Sequence, residues 1–347
     1  MRIRIYEFVA VTVLALLGVH EMANAAAPVS RAKYEPADGT TYLGYYVPGY
    51  QSAADFEKAL TKQASEISSQ SFCLLSMFIH AEEKGVWNSW SLSRAPDGTR
   101  CTPAGRYLEN VRAKGYTPVL AWTWMNYADP EHSPDLKGVP LGQYDWYLDD
   151  WIAGLKKFRT PVFIRLSHEM NGRWFPYSQG YTKNPNAVTA EDYVKYWRYV
   201  VDRFRKAGVT NVAWVWCING DYRGETPRKL YWPGDGYVDW LGIDVYSALQ
   251  PHEELGRFVT EFGTSKPIMI PEVGTSKSLS KWNHKFNSNA EWTDELFEMI
   301  DEDFSPQIKG ICWFEDYSTG SMVNDPAQLK IFRDRIAHSR YQAPFKP

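Results

Sequence analysis

Apolar residues along the chain fall into two alternating periods. Short runs of β-prone residues cover Thr41–Val47, Ser71–Ile79, Pro118–Trp124, Val162–Leu166, Val212–Trp216, Leu241–Val245, Ile268–Ile270 and Gly310–Phe314. Between most of them lie longer segments with apolar positions three and four apart. Phe56, Leu60, Ala64 and Ile67 mark one such helix, Trp146, Leu148, Trp151, Ile152 and Leu155 another. Further helices are expected over 106–113, 189–206, 253–262, 291–304 and 328–337. Thr102-Pro103 reads as a helix start with proline at the first position, Thr189 with Asp192 as a capping box, and Gly115 and Gly208 as helix stops. The stretch 229–239, with Trp232-Pro-Gly-Asp, takes the place of a full helix.

Eight strands alternating with helices, about one βα unit apart, predict an α/β protein: a single-domain (β/α)8 TIM barrel. The chain of 347 residues suits one such barrel, which takes about 250 and up to about 400 with insertions. The folded domain is expected over 41–341, after a lead-in over 26–40 and before a tail over 342–347. Met1-Arg-Ile-Arg4, the apolar run Phe8–Val19 and the small residues Ala23-Asn24-Ala25 read as a signal peptide over 1–25. That run is too short to span a membrane comfortably. A secreted or periplasmic protein, free of the membrane once the signal is removed and monomeric, is the expectation.

Charge narrows the partners. A net charge of -3 and a pI near 6.2 carry no bias toward nucleic acid or an anionic surface. The composition is unusual in its aromatics, 15% of residues with 15 tryptophans, and aromatic faces stack on the CH groups of sugars. Cys73, Cys101, Cys217 and Cys312 have no metal-ligand spacing. Cys73 and Cys101 are a local pair that could close in an oxidising compartment, whereas Cys217 and Cys312 read at least as well as buried thiols. No G-x-S-x-G elbow and no His-rich ligand pattern is present, so neither a cofactor nor a metal is expected.

A barrel offers chemistry at the C-terminal ends of its strands. The fourth strand ends in His168-Glu169-Met-Asn-Gly-Arg-Trp174-Phe-Pro-Tyr177, the sixth in Asp244 and Tyr246, the seventh in Pro271-Glu272-Val-Gly274, the eighth in Trp313, Glu315 and Asp316. Two carboxylates flanking a sugar are the minimum for glycosidic cleavage, and Glu169 with Glu272 fit that pairing. Glu261 lies in the preceding helix and points elsewhere; Asp244, inside a strand, reads as a structural hydrogen-bonding group. Glu315 and Asp316 read either as subsite residues or as solvated loop charges.

The run H-E-M-N-G-x-W-F at 168–175 resembles the acid/base motif of glycoside hydrolase family 26. The resemblance extends to Asn211–Trp216, Val238–Tyr246, the Glu-x-Gly at 272–274 and Gly310–Phe314, and so covers about 42–335. It implies a retaining β-glycanase, with Glu169 the acid/base, Glu272 the nucleophile, His168 a positioning residue, Trp174 a stacking platform, Tyr246 a hydrogen-bond partner of the nucleophile and Trp313 the floor of the site. His80, Trp87, Trp90, Trp122 and Trp124 near the ends of strands two and three are further candidates for sugar contact. The family's mannanases commonly carry another tryptophan where this chain has Pro176-Tyr177, and a serine-proline absent from its 217–228 loop. These departures bear on the subsites rather than on the carboxylates. The substrate implied is a polysaccharide or oligosaccharide, β-1,4-mannan first. The alternatives are a β-1,3-xylan, a mixed-linkage β-glucan or an exopolysaccharide, or a non-catalytic sugar-binding barrel.

Overall fold

A computed structural model describes residues 31–46, 52–68, 72–183, 186–220, 226–247, 250–263, 265–275, 285–315 and 321–347. Residues 1–25, read above as a signal peptide, and Asp316 lie outside the described residues. In chain order the elements begin with β1 (Tyr42–Tyr46), α1 (Ala53–Glu66), β2 (Leu74–Glu83), β3 (Val86–Ser89), β4 (Cys101–Pro103) and α2 (Gly105–Ala113). There follow β5 (Thr117–Asn126), α3 (Asp145–Phe158), β6 (Val162–Leu166), α4 (Ala190–Lys206) and β7 (Val212–Asn219). The chain closes with β8 (Trp240–Tyr246), α5 (Pro251–Phe262), β9 (Ile268–Gly274), α6 (Asn289–Asp301), β10 (Ile308–Trp313) and α7 (Pro326–Ile336).

Eight parallel strands form a closed ring, β1-β2-β5-β6-β7-β8-β9-β10, sealed by pairing of β10 with β1. This is the (β/α)8 TIM barrel that the alternation predicts. Strands covered on both faces are predominantly apolar, and every residue of β5 and β7 is buried. Two short 3₁₀ turns, Arg228–Tyr231 and Asp235–Tyr237, replace a helix between β7 and β8. The capping box forms at Thr189, whose hydroxyl accepts from Asp192 N while the Asp192 carboxylate accepts from Thr189 N, and α4 ends before Gly208 at φ 77. Among the described residues no helix is long and apolar enough to cross a membrane.

Side-chain alternation divides the core. Leu74, Val119, Phe163, Ala213, Trp240 and Met269 fill the lumen, whereas Leu75, Leu120, Ile164, Trp216 and Ile270 face the helices. The foot of the lumen is covered by both ends of the folded unit. Tyr34 and Phe345 each pack on Phe163 with ring centroids 6.0 Å apart, and the Trp240 indole donates to Lys33 O at 2.7 Å. The described part of the lead-in turns at Tyr34, φ 62, to reach the barrel foot.

Three local expectations change. Thr102-Pro103 is not a helix start: both lie in β4, paired with Asn88 and Ser89 of β3 on the outer edge, where a proline without an N–H is tolerated. The helix begins two residues later at Gly105. The parallel pair β3–β4, an insertion between β2 and α2, went unpredicted because its strands are short and half polar. All four cysteines are free. Cys73 sits at the barrel foot, its thiol on Leu43 O, while Cys101 lies in β4 opposite Trp87 of β3, beyond the far end of β2 and too remote to close a bridge.

Candidate active site

The end of β6 is backbone held in an unusual shape. Ser167 and Glu169 have φ of 47 and 54, the left-handed region that costs an L-residue roughly 1–2 kcal/mol each. Neighbouring groups over-determine it. Ser167 N donates to Trp122 O and Glu169 N to Cys217 O, both at 2.8 Å, tying the turn to β5 and β7. Tyr193 of α4 donates its hydroxyl to Ser167 O at 3.1 Å, and Tyr177 donates to His168 O at 2.9 Å. The consequence is that His168 and Glu169 are both buried at the mouth rather than splayed into solvent.

Glu169 accepts from Asn219 Nδ2 at 2.7 Å on one oxygen and from the Trp174 indole at 2.8 Å on the other. Burial, then repulsion from Glu272, pushes its carboxyl up to about 7, against the opposing pull of Asn219, Arg165 and Trp174. Glu272 lies in β9 immediately after Pro271, where the ladders to both β8 and β10 shift register. Gly274 is required two residues on, because a Cβ there would meet Phe314 O at 2.6 Å. The Glu272 carboxylate accepts from Tyr246 OH at 2.5 Å and from Arg165 NH1 at 2.7 Å, with His168 Nε2 3.5 Å away.

Arg165, two residues before Ser167, points into the lumen and is wholly buried. Burial alone would lower its guanidinium, but Asp244 and Glu272 outweigh that and hold it charged. Asp244 accepts from Arg165 NH2 and from the Cys217 thiol, the structural role expected of it. Ligand-type atoms of His168, Glu169 and Asp244 lie within 4.8 Å of one another, but Asp244 is engaged by the guanidinium, which already supplies the cationic charge there. The same cation and burial keep the His168 imidazole well below its usual range, burial being the larger cause. The arrangement thus combines a carboxyl that retains its proton near neutrality with a second carboxylate bonded to a cation and a phenol.

A cleft of about 410 Å³ opens beside the pair, running from His168 and Phe175 past Phe78, Phe314 and Tyr46 to His80, Tyr127, Glu83 and Asn88. Trp174 is 38% exposed and donates its indole N–H to Glu169. His80 lines the cleft, its ring stacked on Tyr127 at 4.5 Å. None of Trp87, Trp90, Trp122 and Trp124 lines it. Trp122, Trp124 and Trp87 are buried between the barrel and α3, where Trp124 packs on Tyr144 and Tyr147, and Trp90 is packed against Trp151 and Phe158. Trp313 is not a floor: it faces outward onto Phe332 of α7 and donates to Glu315, and Phe314 takes the lumen side. Glu315 is buried on that bond, neither solvated nor in the cleft. Arg165, Asn219, Phe78, Phe314 and Tyr127 were not singled out by the sequence. An arginine amid the apolar run Val162–Leu166 was the available signal for the first.

A (β/α)8 barrel whose fourth and seventh ring strands each present a buried glutamate at the same mouth defines the class of protein. The glycosyl hydrolase family 26 model matches residues 131–278 of this chain. It is 28% identical over 243 residues to Endoglucanase H of Acetivibrio thermocellus, covering 66% of this chain and 25% of that protein. It is 28% identical over 198 residues to a mannan endo-1,4-beta-mannosidase of Bacillus subtilis, covering 54% of this chain and 48% of that one. The matches thus span a quarter to a half of these relatives. A modular endo-beta-1,4-mannanase from Cellulomonas fimi superposes with a TM-score of 0.61 at 17% identity, over 92% of this chain and 79% of that one, a likeness of fold.

Proposed function

We propose that the chain is an exported, monomeric, retaining endo-β-glycanase, and that β-1,4-mannan is its first substrate. The observation that carries this reading is the opposed setting of two buried carboxyls: Glu169 pushed up to about 7, Glu272 bonded to Arg165 and Tyr246. In the first step Glu272 attacks the anomeric carbon and forms a glycosyl ester, while the glycosidic C–O bond breaks and Glu169 gives its proton to the leaving oxygen. In the second, Glu169 takes a proton from water, whose oxygen displaces Glu272. Arg165 and Tyr246 receive the carboxylate when the ester breaks. Trp174 and Asn219 aim Glu169 and leave room above the ring it faces.

Mannan is favoured by the named mannanase relative, and the endoglucanase supports a glucan as the second choice. The test is reducing-end release from mannan, glucomannan, lichenan and β-1,3-xylan. Release from mannan or glucomannan, lost in Glu272→Ala, is the expected result. Tight binding without release from any of them would favour the non-catalytic barrel, and release from β-1,3-xylan alone would overturn the mannan assignment.

A further inference from the structure

β7 outruns its neighbour in the barrel. Its ladder with β6 runs to the pair Ile164 and Trp214 and β6 stops at Leu166, whereas β7 continues to Asn219. In a parallel strand the N–H and C=O of one residue turn to the same side, and successive residues alternate. Gly220 N donates to Asp244 O on the β8 side, so Asn219 turns its own N–H and C=O toward the side that β6 has left. There the chain after β6 contributes a backbone bond from Glu169 N to Cys217 O and then turns away at Gly172, whose N–H bonds back to Glu169 O. Asn219 is buried, and a buried N–H or C=O without a partner is costly.

The partner is a side chain. Asn171 Nδ2 donates to Asn219 O at 2.8 Å, and Asn171 Oδ1 accepts from Asn219 N at 2.9 Å. A carboxamide sets a donor beside an acceptor; a carboxylate has no donor, and a hydroxyl has a single oxygen for both tasks. The residue held in this way is the one whose side chain bonds the buried carboxyl of β6: Asn219 Nδ2 donates to Glu169 Oε1 at 2.7 Å.

We infer that Asn171 is a positioning residue: its carboxamide replaces the missing strand at the end of β7 and thereby aims the Asn219 side chain at Glu169. The inference rests on the proposed hydrolase reading for what Glu169 does, and adds a residue that sets how tightly Glu169 holds its proton. The Asn219 bond favours the ionised carboxyl and pulls Glu169 down, against burial and Glu272 of β9, which raise it. Arg165 of β6 and Trp174 pull the same way as Asn219, and Asp244 and Tyr246 of β8, with His168 and Tyr177 of its own loop, also face it. Replacing Asn171 alters the charge of none of them. Once Asn219 loses its aim, Glu169 should titrate about one pH unit higher, the order expected of one hydrogen bond to a charged group. General loosening of the fold would admit water and move it the other way, toward the ordinary carboxyl range.

The experiment follows the Glu169 carboxyl in the wild type, Asn171→Ala, Asn219→Ala and the double variant by 13C NMR of protein labelled at the glutamate Cδ, with the signal assigned by its loss in Glu169→Gln. In parallel, kcat/KM is measured against pH on mannan and on a dinitrophenyl β-mannoside. Both single variants should raise the titration by about one unit, and the double variant should match Asn219→Ala, because Asn171 acts through that residue. On mannan the alkaline limb should move up with the titration and the plateau should fall about tenfold; on the activated glycoside, whose leaving group departs without a proton, it should fall less than about threefold. A Glu169 titration unchanged or lowered in Asn171→Ala, or a shift in the double variant beyond that of Asn219→Ala, overturns the inference. Should Asn171→Ala not fold, Asn171→Ser, whose hydroxyl cannot serve both backbone groups, takes the same test with the same outcomes. If the wild type cleaves neither substrate, the hydrolase reading fails on them and the NMR titration still decides this one.

Discussion

The hydroxyl of Tyr193, carried on α4, donates to the carbonyl of Ser167 at 3.1 Å, and so a helix outside the barrel holds the left-handed turn that delivers Glu169. A second hydroxyl, from Tyr177, holds the next carbonyl. Neither phenol lines the cleft. Tyr193→Phe removes the bond without the ring and leaves Ser167 O buried and unpaired, which should cost about 1–2 kcal/mol of stability. The turn it releases aims a proton donor, so kcat should fall several-fold while KM changes little. A denaturation midpoint equal to the wild type together with unchanged kcat would remove Tyr193 from this role.

The protonation of Glu169 ties stability to pH. Its folded carboxyl is raised to about 7 from an ordinary value of 4.5, burial first and Glu272 second. The folded protein therefore holds this proton more tightly than the unfolded chain. Its contribution is fully present below the unfolded value and is lost as pH rises through about 7. Glu169→Gln has no charge to develop, so its stability relative to the wild type should improve between about pH 5 and about pH 8. The ceiling is ~3 kcal/mol, from two and a half units at 1.36 kcal/mol each. Denaturant titrations at the two pH values would decide it, a constant difference showing that Glu169 is already ionised at the lower one.

Arg165 is the cation beneath the pair, and its loss has a different signature. Arg165→Met leaves Asp244 and Glu272 buried without their shared partner, a change that should destabilise by about 3–5 kcal/mol. Tyr246→Phe removes one bond to Glu272 and should lower kcat more than it raises KM. Thermal unfolding separates the two: Tyr246→Phe should melt near the wild type, and a melt as low as that of Arg165→Met would make Tyr246 a structural residue instead.

Much of the barrel could be read from periodicity because parallel strands buried on both faces leave continuous apolar runs, as in Val212–Trp216. The two-residue alternation also held information that motif reading passes over. Val119 faces the lumen, so Trp122 and Trp124 fall on the helix side; Leu74 faces it, so Phe78 and His80 do as well. The same parity sends Trp313 outward and Phe314 inward. Enrichment in tryptophan was therefore a poor guide to which tryptophan meets a ligand. The parallel pair β3–β4 was illegible for another reason: its strands are four and three residues long and are stabilised by partners distant in sequence, among them Asp150, which accepts from Ser91 N at 2.9 Å. Glu83 gains its place in the cleft from the antiparallel β2–β3 pairing, opposite Val86.

The roles of the two glutamates are separable by the face from which an added nucleophile attacks. In Glu169→Ala the nucleophile remains, and an activated β-glycoside such as a dinitrophenyl derivative needs no proton to lose its leaving group, so the glycosyl ester should still form. Its hydrolysis should stall for want of a base. Azide needs none, enters on the face that water uses, and should restore turnover with the β-glycosyl azide as product. In Glu272→Ala the space left beside Arg165 and Tyr246 admits azide to the opposite face, and the product should be the α-glycosyl azide. Proton NMR of the anomeric position distinguishes the two. The same anomer from both variants would mean that Glu169 and Glu272 do not divide the chemistry as assigned. Glu169→Ala losing activity equally on activated and unactivated substrates would take the proton-donor role away from Glu169.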